Sequence, residues 1–225
     1  MDTSVISAIS RDGGIYLENK KTNIDDAQSA LTLMEIKANQ KIKIDGNETT
    51  SGVMDQNGNL VLSNGNKGNK DISIGTDGDL VVTGVVSATR DLAITAGGSI
   101  YTVQDLDTGM LPSLTGVNVK LSAIQDIALK EQALNTNAEK VDAFSLLGGV
   151  HIKEQNGLKN INVLAKKDIS VTATNGNIVF DNIISQNLNS NSVVKISSEK
   201  GSIISENKNN TIQSDTVELM AVNTI

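Results

Sequence analysis

A small residue recurs between apolar positions at one fixed spacing in this chain. The unit is apolar–x–small–x–x–x–apolar–x–apolar. It reads Ile36-Lys-Ala38-Asn-Gln-Lys-Ile42-Lys-Ile44, then Ile74-Gly-Thr76-Asp-Gly-Asp-Leu80-Val-Val82. It returns at Val86-Ser-Ala88 with Leu92 and Ile94, at Leu121-Ser-Ala123 with Ile127 and Leu129, and at Val163-Leu-Ala165 with Ile169 and Val171. Alternating apolar residues make a half-buried strand, and the small residue marks the corner where one strand turns into the next. A chain that turns the same corner repeatedly winds a solenoid.

Corners also come in pairs, Ala88 with Ala96 and Ala165 with Ala173. Asp71, Ile72, Thr76 and Gly78 each return as the same or a similar residue twenty positions on, at Asp91, Leu92, Ala96 and Gly98. The expected fold is therefore an all-β, right-handed parallel β-helix of about 20 residues per coil and about eight to ten coils. Parallel crossovers favour the right hand. Inside positions are Ile72, Ile74, Leu92, Ile94, Ile127, Leu129, Val150, Ile152, Ile169 and Val171. The residues between them, His151 among them, are expected to face outward. Ile24–Glu35 carries helix formers, yet Leu31-Thr-Leu33 alternates like a strand.

Composition agrees with a thin core. Only 2% of residues are aromatic and none is Trp, while Ile, Val, Leu and Ala can fill a narrow column. The 25 Asn and 19 Gly supply turns. A net charge of −7, without a basic cluster flanked by aromatics, makes nucleic acid and anionic membrane poor partners. No apolar run reaches membrane-spanning length, so no membrane insertion is expected. The absence of Cys excludes thiolate zinc, and a single histidine excludes a multi-histidine metal site. Asp55-Gln-Asn57-Gly-Asn59 and Gly75-Thr-Asp77-Gly-Asp79 space oxygens as calcium loops do, but neither completes such a loop. No cofactor is expected.

Three stretches break the repeat and read as insertions in one continuous unit: 63–70, 103–113 and 131–147. A fourth, weaker break covers 182–191. Carboxylates at Asp77, Asp79, Asp91, Asp105 and Asp107 raise the possibility of a polysaccharide-cleaving enzyme. Asp91, Asp126 and Asp168 all precede a strand, however, where an aspartate caps turn N–H groups. The lone His151 lacks a nucleophilic serine motif. Asn47-Glu-Thr49 and Asn209-Asn-Thr211 have the form of glycosylation acceptors.

The run Asp71-Ile-Ser-Ile-Gly-Thr-Asp-Gly-Asp-Leu-Val-Val-Thr-Gly84, followed by Arg90-Asp-Leu-Ala-Ile-Thr-Ala-Gly-Gly-Ser-Ile-Tyr101, resembles the repeats of filamentous haemagglutinin-like exoproteins. Lys167-Asp-Ile-Ser-Val-Thr-Ala-Thr-Asn-Gly-Asn-Ile178 resembles them too. The resemblance implies two-partner secretion through an outer-membrane transporter and display on a bacterial cell surface. It also implies adhesion, or receptor recognition in contact-dependent growth inhibition. With no Asn-Pro-Asn secretion motif in the chain, it implies an interior section excised from a longer filament. The expected function is non-catalytic: a spacer that also binds a cell-surface protein, either a bacterial outer-membrane protein or a host protein. A pure stalk is the plainer alternative. Tyr101, Gln104, Asp105, Asp107, Met110, Leu134, Phe144 and His151 are the expected receptor contacts, chosen because the irregular stretches carry apolar groups beside acids.

Overall fold

The computed structural model describes residues 71–76, 79–102, 111–187 and 191–225. Before residue 71 it describes the strands Val5–Ser10, Ile15–Asn19, Leu31–Ala38, Ile42–Ile44, Asn47–Thr49, Gly52–Met54 and Leu60–Leu62. The chain is an all-β solenoid of about 6 turns, each of about 22 residues. Its main sheet has 17 strands, and successive coils pair in parallel.

One side of the rod can be followed strand by strand. Ile72–Thr76 pairs with Asp91–Ala96, which pairs with Ser113–Ala123. That strand pairs with Leu134–Ser145, then Leu158–Ala165, then Ile178–Ser185. A second side stacks Leu80–Ala88, Ile100–Thr102, Ile127, Val150–Glu154, Ile169–Ala173, Val193–Ser198 and Thr216–Ala221.

Alternation puts one residue in two into the column. Ile74, Ile94, Leu121, Ala143, Val163 and Ile183 form one inner row, and Leu80, Ile100, Ile127, Val150, Ile169 and Val194 another. Each is almost fully buried, and a buried Ile, Leu or Val stabilises the fold by roughly 1.5–3 kcal/mol. The corner row is Ala96, Ala123, Ser145, Ala165 and Ser185, all buried. Two strands converge there, and only a methyl or a hydroxyl fits between them.

The coil step is not constant, and this departs from the regular 20-residue expectation. Asp71 and Asp91 are 20 residues apart across one step, Asp91 and Asn118 are 27, and Asp168 and Val193 are 25. Longer steps use more residues per coil, so fewer coils are wound than the sequence spacing suggests. The longest excursion lies between Leu31–Ala38 and Ile72–Thr76. There Ile42–Ile44 pairs antiparallel with Asn47–Thr49, and Gly52–Met54 with Leu60–Leu62. The Ile36–Ile44 repeat unit therefore does not continue the stack, because its second half closes a hairpin. Leu31–Ala38 is strand, not helix.

The expected insertion at 131–147 is not one. Leu134–Ser145 is a regular rung with inward Leu134, Thr136, Ala138, Val141, Ala143 and Ser145. The excursion is shorter and earlier. Ile127 bridges to Val150, while Leu134 already pairs with Ile152, so residues 129–133 bulge from the rung. Ala128 leaves it through a left-handed backbone, φ 61°. Of the fourth break, 182–185 is strand. The insertion at 63–70, most of that at 103–113, and 188–190 lie outside the described residues.

Candidate functional site

Outward positions, rather than a cleft, are where this fold can act. Ser113–Ala123, Leu134–Ser145 and Leu158–Ala165 turn Ser122, Phe144 and Leu164 outward in one row. The row continues to Thr95 and Gly75 on one side and to Ile184 on the other. Two residues earlier on each strand runs Ala93, Lys120, Asp142 and Asn162. These two rows enclose a shallow groove of about 390 Å³. Phe144 is 38% exposed, and beside it the turn residues Ile124, Leu146 and Leu147 are 42%, 49% and 48% exposed. Leu146 N–H donates to the Ala123 carbonyl and Leu147 N–H to the Ile124 carbonyl, which stacks these two turns. Apolar surface of this kind, grouped over neighbouring coils, marks an interaction face more than scattered leucines do.

Phe144 is thus placed where a contact residue belongs. Leu134 is not: it is fully buried in the core row, because 131–147 is rung and not loop. Tyr101 is half-buried on Ile100–Thr102, on a different side of the rod from Phe144. Gln104, Asp105, Asp107 and Met110 lie outside the described residues, as does Asp77.

His151 faces outward but is only 7% exposed, which corrects the expected solvated position. Its Nδ1 lies 2.8 Å from the Ser170 hydroxyl on the next coil. Its Nε2 sits where a side chain at Gly149 would come within 3.2 Å, so the ring packs over a bare backbone. The His151 backbone N–H donates to the Ile127 carbonyl at the foot of the bulge. Burial pushes the imidazole below its ordinary value, against the pull of the Asp168 and Asp126 carboxylates. Tyr101 and His151 stand one residue after Ile100 and Val150, which Ile127 bridges, while Ala128 between them is fully buried in the core.

Glu154 is the residue that sequence reasoning missed. Register puts it in line with Ala173 and Ser198, at a corner otherwise held by small residues. It is fully buried. Its Oε2 accepts from the Thr136 hydroxyl at 2.7 Å and from Ala138 N–H at 3.1 Å, and its Oε1 from Asn156 N–H at 3.1 Å. Burial raises its pKa, and those donors partly oppose the rise. The signal was present: Glu154 stands where the repeat calls for a small corner residue.

The other acids do structural work. Asp126 accepts Gly149 N–H at 2.7 Å, and Asp168 accepts Val193 N–H at 2.9 Å, as turn capping predicts. Asp79 accepts Ser99 N–H at 2.7 Å. Asp91 instead takes the Asn118 amide at 2.7 Å. Asp71 is gripped by Arg90, Nε at 2.9 Å and Nη2 at 2.6 Å, and that hydrogen bonding holds its carboxyl below the usual range. Among the described residues no three His, Cys, Asp or Glu side chains converge as a metal site. No protein family, curated protein or solved structure matches the chain.

Proposed function

We propose that this chain is a non-catalytic binding and spacing segment of a secreted surface filament. The observation that carries this reading is the stack of parallel coils, in which each coil rests on its neighbours. Such a rod folds by adding coils in sequence and holds its outer rows at fixed spacing. A solenoid consistent with a stalk or adhesin-like segment also fits the filamentous haemagglutinin-like repeats that the sequence resembles. On this reading the full-length protein leaves the cell unfolded through a two-partner outer-membrane transporter, and the rod forms outside. The exposed face around Phe144 and the half-buried Tyr101 offer contact surface for a cell-surface protein, on a target bacterium or on a host cell.

The test is retention of the purified chain on intact bacterial cells and on mammalian cells, read by immunoblot of washed cells. Saturable retention on one cell type, lost after protease treatment of those cells, supports a protein receptor. No retention on either leaves a stalk and overturns the binding half of the proposal. New reducing ends from acidic or neutral glycans would overturn the non-catalytic half.

A further inference from the structure

The outward row on the Phe144 side is graded. Toward the N-terminal coils it is small: Gly75, Thr95, Ser122. Toward the C-terminal coils it is large: Phe144, Leu164, Ile184. The change falls between Ser113–Ala123 and Leu134–Ser145. At that same step, two residues earlier, Lys120 lies beside Asp142. Both are exposed, and no ion pair joins them.

We propose that this face packs against the same face of a second copy, about a two-fold axis running along the strands between these two rungs. That operation exchanges each coil on one side of the step with its counterpart on the other. Ser122 then faces Phe144 of the second copy, and Thr95 faces Leu164. Lys120 of each copy meets Asp142 of the other. At the corner, Ile124 meets Leu146. Within these two rows each bulky side chain is set opposite a small one and Lys120 opposite Asp142, as an isologous interface requires. Outward apolar residues in three consecutive coils give the contact an apolar centre, and the Lys–Asp pairs fix its register. The five steps of about 4.8 Å between these six coils and five residues of strand at about 3.3 Å give a contact of roughly 400 Å² per copy. That is about half of what stable complexes bury on each side, so the association is weak and concentration-dependent.

Sedimentation equilibrium of the 225-residue chain, at about 0.15 M salt and from about 10 µM to about 1 mM, reads it directly. A reversible monomer–dimer equilibrium is expected, with a dimer fraction rising over that range. Phe144→Asp should weaken dimerisation at least tenfold. Lys120→Asp and Asp142→Lys should each weaken it severalfold, and the double swap should restore it. These side chains point away from the core, and an unchanged circular-dichroism spectrum checks each fold. A monomer at the highest concentration overturns the proposal. So does a dimer that none of these variants weakens, or one that the double swap does not restore. Co-sedimentation of the monomer with phosphatidylcholine–phosphatidylglycerol vesicles, lost in Phe144→Asp, would give the face to a lipid surface and equally overturn it.

Discussion

The Glu154 carboxylate and the Thr136 hydroxyl meet at 2.7 Å in a corner that excludes water. All three groups hydrogen-bonded to this carboxylate donate, so the acceptor character of both oxygens is used. Glu154→Gln turns one oxygen into an NH₂ that faces a donor. It should cost about 1–3 kcal/mol in urea unfolding at pH 7, the usual penalty for a buried unpaired polar group. Its pH dependence has a definite sign. A carboxyl whose folded pKa is raised binds more protons folded than unfolded, so it favours unfolding as pH rises through that window. The wild type should therefore gain stability relative to Glu154→Gln as pH falls from 7 toward 4.5, the ordinary glutamate value. A constant difference between the two would contradict a raised pKa.

His151 has the opposite linkage. Its folded pKa lies below the ordinary 6.5, so the unfolded chain binds the proton first. Its contribution is full above pH 6.5 and is lost as pH falls through that value. Compared with His151→Gln, the wild type should lose stability between pH 7.5 and 5. A wild-type difference that does not vary with pH would mean that the imidazole titrates normally.

The corner aspartates predict a distinction between alanine and asparagine. Asp168→Ala leaves the Val193 N–H without its side-chain acceptor and should cost about 1 kcal/mol. Asp168→Asn keeps an acceptor oxygen and should cost less. Equal losses would mean that charge matters more than the hydrogen bond. The measurement is the urea midpoint at constant slope.

Two serines in similar corners should behave differently. Ser198 donates to the Gly176 carbonyl at 2.8 Å and accepts Gly201 N–H at 2.9 Å, tying two coils together. Ser198→Ala should destabilise by about 1–2 kcal/mol. The Ser185 hydroxyl is buried and has no partner among the described residues. Ser185→Ala should be neutral or stabilise by up to about 1 kcal/mol. Thermal melts of the two variants give the comparison, and a loss at Ser185 equal to that at Ser198 would refute it.

Gly201 is required by close approach. An added Cβ there would lie 2.1 Å from the Gly176 carbonyl oxygen of the coil below. Gly201→Ala must push two coils apart and should cost about 1–3 kcal/mol. Melting temperature reads the loss, and an unchanged value would show that the turn can shift freely.

The sequence alone determined the parallel stack. The inner rows Ile72–Ile74, Leu92–Ile94 and Ile169–Val171 follow from strict alternation, and the corners follow from Ala96, Ala123 and Ala165. That Asp126 and Asp168 accept backbone N–H groups was also legible, but the donors, Gly149 and Val193, lie on the next coil. Tertiary structure decided which outward residues share a face. Coil steps of 20, 27 and 25 residues set the register between rungs, and no local pattern fixes the length of a turn. Register alone made Leu134 core, set Phe144 beside Ser122 and Leu164, brought His151 against Ser170, and placed Glu154 in a corner built for alanine. Burial is a property of neighbours from other coils, and those neighbours are known only once the coils are stacked.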